Sequence, residues 1–340
     1  MAGKRRGARA LVFPHRPVIT GYASVVGKKE GEGPLGDTFD EVRRDAHFGE
    51  NSWEKAESTL QRTAIELAAA KAGTEVEKLQ MLFAGDLLNQ CIGSAYASSH
   101  SNVPFIGQYG ACSTMAQSLL MAACMVDGGY AQRAGAAASS HFCSAERQYR
   151  FPLAYGGQRT PTAQWTATAA GAVIVEPQSE SSKVHIVGGA FGQMVDFGVK
   201  DANNMGAAMA PAAYQTLSDY WRDTDTCPTD YNLVVTGDLA RVGGSLLAEL
   251  FRRDGIDITP VYSDCGTLLF SEKQDTHAGG SGCGCSAAVL CGKLLQELEQ
   301  GKLHRILFAG TGAMMSPTAL QQGQSIAGIC HVAELRRGED

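Results

Sequence analysis

Two rhythms of apolar and polar positions run along this 340-residue chain. Short apolar runs rich in β-branched residues and bounded by Gly or Pro predict buried strands at Pro17–Gly27 ("PVITGYASVVG"), Gly171–Pro177 ("GAVIVEP") and Val184–Gly192 ("VHIVGGAFG"). Apolar positions three and four residues apart predict helices over Ser52–Ala72 and Leu246–Arg253. Ser52 stands as the N-cap of the first and Gly73 as its stop. Strands alternating with helices predict an α/β architecture with helices covering sheets.

The pattern is written twice. "LFAGDLLN" from Leu82 returns as "VVTGDLAR" from Val234, and each predicts a buried strand that carries Asp86 or Asp238 at its C-terminal end. "CSTMAQSLLMAACMVDGG" from Cys112 pairs with "CSAAVLCGKLLQELEQGK" from Cys285, 173 positions on. Both open on Cys-Ser, continue with helical spacing and stop at Gly. "RAGAAASSHFCS" from Arg133 pairs with "RILFAGTGAMMS" from Arg305, 172 positions on, each reading as a buried strand that ends in small residues. The chain therefore divides into a basic N-terminal tail (1–16) and two α/β halves, 17–180 and 181–340, related by a pseudo-twofold axis.

Composition narrows the function classes. The chain is 44% hydrophobic and 19% charged, as soluble globular proteins are. Its net charge of −6 argues against a nucleic-acid partner. No apolar run approaches the roughly 18 residues of a spanning helix. The basic start "MAGKRRGARALVFPHRP" has an apolar piece, Ala10–Phe13, too short for a signal peptide, and Pro14 ends it. Lys4, Arg5, Arg6 and Arg9 read as a solvated tail, or as a stretch that touches an anionic membrane surface. The ten cysteines lie mostly in apolar or Gly-rich settings and read as reduced thiols. Cys283 and Cys285 stand too close together for a zinc pair.

In open α/β sheets, ligands bind beyond the carboxyl ends of strands. That rule selects Asp86, Asn89, Asp238 and the turns at Cys112 and Cys285. Cys112 follows Gly110-Ala111 at what reads as the first turn of a helix, where the dipole favours thiolate and exposed N–H groups favour a carboxylate or phosphate. Pattern alone leaves three readings of Cys112 open: a nucleophile, part of an anion site, or a buried thiol at a tight turn.

Gly110-Ala111-Cys112-Ser113, early in a duplicated α/β chain, resembles the nucleophile turn of the thiolase and ketoacyl-synthase superfamily. Longer blocks resemble one branch of it, the stage V sporulation protein AD family. They are "TGYASVVGKKEGEGPLGDTFD", "SWEKAE", "AGDLLNQ", "YGGQRTPTAQWT", "KDANNMGAAMAPAA", "TGDL", "HAGGSGCGCSA" and "MSPTALQQGQSI". They run from near Pro17 to Ile326 and cover nearly the whole chain. The resemblance implies a thiolase-like fold with layered αβαβα architecture. It implies a sporulation protein that binds dipicolinic acid, with calcium carried as its chelate, and supports uptake of that acid into the developing spore. No resident cofactor or metal is expected. The implied partners are membrane proteins of the same transport system, with this chain peripheral on the cytoplasmic side of the spore inner membrane. Thiolase relatives pair through their first halves, so a homodimer is the assembly to look for.

Condensing enzymes of the superfamily need two further polar groups beside the cysteine. Where a second-half turn carries their His, this chain reads "TGDLARVG", with Asp238. Where thiolases carry a second Cys, it reads "FAGTGAMMS". His277 in "HAGGSG" resembles a thiolase turn one residue short, and otherwise reads as a solvated loop histidine. The expectation is a degenerate site used for binding, with an acyl-transfer enzyme built on Cys112 as the alternative. Its ligand residues would be Cys112, Ser113, Asn89, His277 and Gly280, the last within a run of glycine amides. Trp165 would flank the ligand ring or sit in the core. Asp196 would wall the pocket against a calcium chelate or cap a turn.

Overall fold

The computed structural model describes residues 4–150, 159–178 and 183–338. The first copy of the repeat runs β1 (Val18–Gly27), α1 (Trp53–Lys71), β2 (Met81–Gly85), α2 (Ile92–Ser98), β3 (Phe105–Gly107), α3 (Thr114–Asp127), β4 (Ala134–Ser140), α4 (Phe142–Arg150) and β5 (Ala169–Glu176). The second runs β6 (Val184–Phe191), α5 (Met205–Thr224), β7 (Leu233–Thr236), α6 (Ala240–Arg253), β8 (Tyr262–Asp264), α7 (Cys283–Val289), β9 (Arg305–Ala313) and β10 (Gly328–Arg337). The place where the two halves were divided, residues 180 and 181, lies outside the described residues, as do the first residues of the "YGGQRTPTAQWT" block.

Each copy builds the same sheet. Outward from the junction the orders are β1-β5-β4-β2-β3 and β6-β10-β9-β7-β8, joined where Val18 pairs with His185. In each, the last strand of the copy runs antiparallel to both neighbours and the remaining pairs are parallel. Helices α3 and α7 lie between the two sheets, and α1 and α5 cover the outer faces. The result is the expected layered αβαβα fold. Strand β4, "AGAAASS", is buried at every position because helices cover both its faces. Helix α1 starts one residue inside its expected span: Ser52 Oγ accepts from Lys55 N at 3.4 Å, and Gly73, at φ +68°, ends it.

The copies differ between their second strand and their buried helix. The offset is 152 at Leu82 and Val234 but 173 at Cys112 and Cys285. The second copy spends the extra length on α6, which has 14 residues against 7 in α2, and on a further helix at Cys265–Leu269.

From Lys4 onward the basic stretch is ordered as a hairpin, while Lys4 to Arg9 stay exposed to solvent. Arg5–Arg6 pairs with Ala10–Val12, and Leu11 and Val12 add to β6 opposite Gly189 and Gly188. Ala10 N donates to Asp223 Oδ2 at 3.2 Å, and Lys4 Nζ lies 3.0 Å from Asp127 Oδ2. The apolar "ALVF" gives this hairpin a face to bury, and two carboxylates neutralise part of its charge. Among the described residues no helix is long and apolar enough to cross a membrane.

Asp86, just past β2, is fully buried beside Glu57 of α1. Asp86 Oδ2 accepts from Ser94 N and Ser94 Oγ, both at 2.7 Å, and Glu57 accepts from Ser144 Oγ at 2.8 Å and Ser139 Oγ at 3.2 Å. Burial, and then the charge of Asp86, push the Glu57 carboxyl up from 4.5 to about 8. A carboxyl raised on folding contributes stability below its unfolded value and loses it as pH climbs to the folded one. Glu57→Gln should therefore gain on the parent by about 2 kcal/mol or more between pH 5 and pH 8, at roughly 1.4 kcal/mol per pKa unit. Urea midpoints across that range measure it; parallel pH profiles for the two proteins would refute the assignment.

Candidate functional site

The chain leaves β3 and makes a tight turn before α3. Ala111 occupies the left-handed region at φ +49°, a conformation that costs a non-glycine residue free energy and is held by its surroundings. Ser113 Oγ donates to the Gly110 carbonyl at 2.6 Å, and Thr114 Oγ1 donates to that of Ala111 at 2.7 Å. Two glycines from different halves grip the turn. A Cβ on Gly85 would stand 1.9 Å from the Gln108 carbonyl oxygen, and one on Gly312 would stand 2.3 Å from that of Gly110. Cys112 is thereby presented at the interface of the two halves. It precedes the helix, whose first residue is Thr114, instead of lying in its first turn.

Three side chains of the second half meet there. Ser281 Oγ lies 4.0 Å from Cys112 Sγ and donates to Asp238 Oδ2 at 3.1 Å. Gly282 N donates to the same carboxylate oxygen at 2.9 Å, and Thr311 Oγ1 donates to Oδ1 at 2.9 Å. Asp238 is fully buried, with three donors converging on it. The two turns that would hold the His and the second Cys of a condensing enzyme thus supply Asp238 and Thr311, which bond to each other.

This arrangement corrects the expectation of a low-pKa thiol. Burial pushes the Cys112 thiol well above the usual range, and the Asp238 charge beside it pushes the same way. The dipole of α3 does not offset them, because Cys112 lies before the helix and the amides of Ser113 and Thr114 are spent on Gly110 and Ala111 at 3.1 and 3.3 Å.

Cys112, Ser281, Thr166 and Ala313 line a slot of about 40 Å³, closed at its sides by Leu87, Glu146 and Met205. Outside it lies a groove of about 440 Å³ bounded by Asn89, Gln90, Tyr109, Met314 and Pro317. Tyr149 and Met315 line both spaces. Tyr149 Oη lies 2.9 Å from Tyr109 Oη and also donates to the Leu87 carbonyl. Among the described residues no Lys, Arg or His lines either space, and no cluster of three His, Cys, Asp or Glu residues could hold a metal ion.

The candidate residues separate on this geometry. Cys112 floors the slot and Asn89 lines the outer groove. Ser113 is buried with its hydroxyl turned into the cysteine turn. Gly280 is buried in a two-residue pairing with Trp165, where an added Cβ would lie 3.1 Å from both Cys285 Sγ and Phe270. The glycine run offers fewer free amides than expected: Gly279 N donates to Thr276 O at 3.1 Å and Gly282 N to Asp238. His277 lines neither space. Its Nε2 lies 3.5 Å from Asp275 Oδ1, and its carbonyl accepts from Arg241 Nη2 at 2.7 Å. Asp196 is an exposed turn residue that accepts from Gly198 N at 2.8 Å and Ser325 Oγ at 2.5 Å. Trp165 has no face left for a ligand. Phe142 stacks on it at 4.0 Å and 12°, and Lys29 Nζ sits 3.9 Å from the ring centre, which places the two on opposite faces. Ser281, Thr311, Tyr109 and Tyr149 carry the site without having been singled out. The one signal for Ser281 was its place in the quoted "HAGGSG" run.

Comparisons with known proteins give the fold and the family. Crystal structures of 3-oxoacyl-[acyl-carrier-protein] synthase III from Aquifex aeolicus VF5 (TM-score 0.57, 14% identity) and of a cerulenin-bound OleA variant from Xanthomonas campestris (TM-score 0.63, 16% identity) share the fold. The alignments cover 94% of this chain and 99% of the synthase, and 96% of this chain and 97% of OleA. Stage V sporulation protein AD of Bacillus subtilis (strain 168) is 39% identical over 328 residues, 96% of each chain. Residues 7–336 match the family description of stage V sporulation protein AD. With so nearly the full length matched, the chain belongs to the stage V sporulation protein AD family, a sporulation family on a thiolase-like fold.

Proposed function

We propose that this chain is a carrier for dipicolinic acid in sporulation, taking it up as the calcium chelate in the groove above Cys112, and that it is not a condensing enzyme. The observation that carries this reading is the burial of Cys112 with the Asp238 carboxylate set against it: burial first and that charge next favour the protonated thiol where an acyl-transfer enzyme needs a thiolate. The groove, at about 440 Å³, is of small-molecule size. The Asn89 amide offers a donor to a carboxylate, and Tyr149 and Met315 offer a surface to a flat ring. Its lining is uncharged, and the slot beneath contributes Glu146 and the nearby Asp238. A free dianion would meet no cation there, whereas a neutral chelate would meet no uncompensated charge. On this reading the protein works peripherally at the spore inner membrane with membrane proteins of the same transport system, as a homodimer. Calorimetric titration tests the reading: dipicolinate should bind more tightly with calcium than without, and Asn89→Ala should weaken both. No heat at millimolar ligand in either case, or an acyl adduct on Cys112 after exposure to acyl-CoA, would sink it.

A further inference from the structure

The slot and the groove share two wall residues, and those walls decide what passes between them. The slot at about 40 Å³ holds little more than a water or two, while the groove is some ten times larger. Cys112 is only 5% exposed, so a molecule in the groove does not reach the thiol past a fixed Tyr149 and Met315. Both residues are half-buried, not locked into the core. Tyr149 is held by its hydroxyl, through the Tyr109 Oη contact at 2.9 Å and the bond to the Leu87 carbonyl. Tyr109 is itself 40% exposed. The latch is therefore two hydroxyl contacts, an exposed one to Tyr109 that water replaces at small net cost and a part-buried one to the Leu87 carbonyl. Side-chain rotation of such residues is fast on the scale of ligand binding.

We propose that Tyr149, backed by Met315, is the size filter of the site: it admits small groups to Cys112 and Ser281 and confines larger molecules to the outer groove. A planar ligand is then held with its ring in the groove, and only a narrow polar end reaches Ser281. This assignment rests on the groove being the ligand entrance, as proposed above, but its test needs no knowledge of the ligand.

The test labels the full-length protein with two methanethiosulfonates, a methyl reagent and a bulky biotinyl one, and reads the adducts by peptide mass spectrometry. In each reaction the Cys112 thiolate displaces sulfinate and forms a mixed disulfide. The parent should react at Cys112 slowly with the methyl reagent and far more slowly still with the bulky one. Tyr149→Ala should raise the bulky-reagent rate at least tenfold and bring the two rates together, with Met315→Ala doing so in part. Tyr149→Phe, which keeps the ring and removes the latch, should raise the methyl rate more than the bulky one. Cys265 is fully buried away from the slot and reports on unfolding. A variant that opened by unfolding would label Cys265 in step, and Met315→Ala then serves in place of Tyr149→Ala. An unchanged ratio of bulky to methyl labelling in both alanine variants would overturn the filter, whatever titration with dipicolinate shows. Loss of dipicolinate binding alongside a working filter would count against the ligand only.

Discussion

Asp238→Asn should turn Cys112 from an inert thiol into a reactive one. Burial holds the thiol up first, and the substitution leaves it in place; the charge of the Asp238 carboxylate and its hydrogen bond with the thiol push the same way, and the substitution removes the charge. Removing a neighbouring negative charge favours the thiolate, so the thiol's pKa should fall. A drop of at least about one unit, and hence about tenfold faster alkylation by a small reagent at pH 8, is a conservative expectation. Asparagine preserves the size of the side chain and an acceptor for the Gly282 amide. With the amide oxygen in the place of Oδ2 the Ser281 hydroxyl keeps its acceptor too, and the NH₂ group meets Thr311 Oγ1, which can turn to accept, so the fold should lose only about 1 kcal/mol. The measurement is the pH midpoint of Cys112 alkylation, which is set by proton affinity and not by access. Ser281→Ala is the informative companion. It removes a hydrogen bond that lowers the thiol's pKa and leaves the Asp238 charge, so its midpoint should not fall. Equal midpoints in Asp238→Asn and parent would show that burial alone holds the thiol.

Gly85→Ala should cost on the order of 3–5 kcal/mol, among the largest effects of one methyl group in this protein. The added Cβ would lie 1.9 Å from the Gln108 carbonyl oxygen and 2.6 Å from Thr114 Cγ2. The first is backbone and cannot rotate away, and Gln108 N is itself bonded to the Ala84 carbonyl at 2.9 Å. Relief requires β2 and β3 to part, which breaks the parallel pairing that carries the chain into the cysteine turn. Gly107→Ala is the matched control, because its Cβ would meet nothing closer than 3.5 Å on the same edge of the sheet. Urea unfolding should show a large fall in midpoint for Gly85→Ala and a change within about 0.5 kcal/mol for Gly107→Ala. Equal costs at the two positions would mean that the turn is not clamped.

The architecture was legible in the chain because periodicity and duplication are local signals. Ser52 and Gly73 bound α1 as their chemistry requires, and the Gly-Asp-Leu runs mark the ends of β2 and β7. Cys112 and Asn89 both follow strand ends, where open α/β sheets place ligands, and both line the spaces described above. His277 and Asp196 were not recoverable in the same way. Ser281 reaches Cys112 and His277, four residues earlier, does not, and that difference is decided by the pairing of Gly280–Ser281 with Trp165–Thr166. The pairing joins segments more than a hundred residues apart, and no local pattern announces it. The direction of the Cys112 pKa was misread for a related reason. A helix terminus is visible in sequence, but the Asp238 carboxylate opposite it arrives from the other half of the chain.

The hairpin of residues 5–12 adds to β6, so Val12 waits for Gly188. During vectorial synthesis at about 5–20 residues per second, that partner emerges roughly ten to thirty-five seconds after the hairpin itself. Until then the arginine-rich segment is free to engage whatever polyanion lies near the ribosome exit. Its pairing with the second sheet is a late event that couples the completion of one half of the molecule to the ordering of the cationic end of the other, whose basic side chains stay exposed.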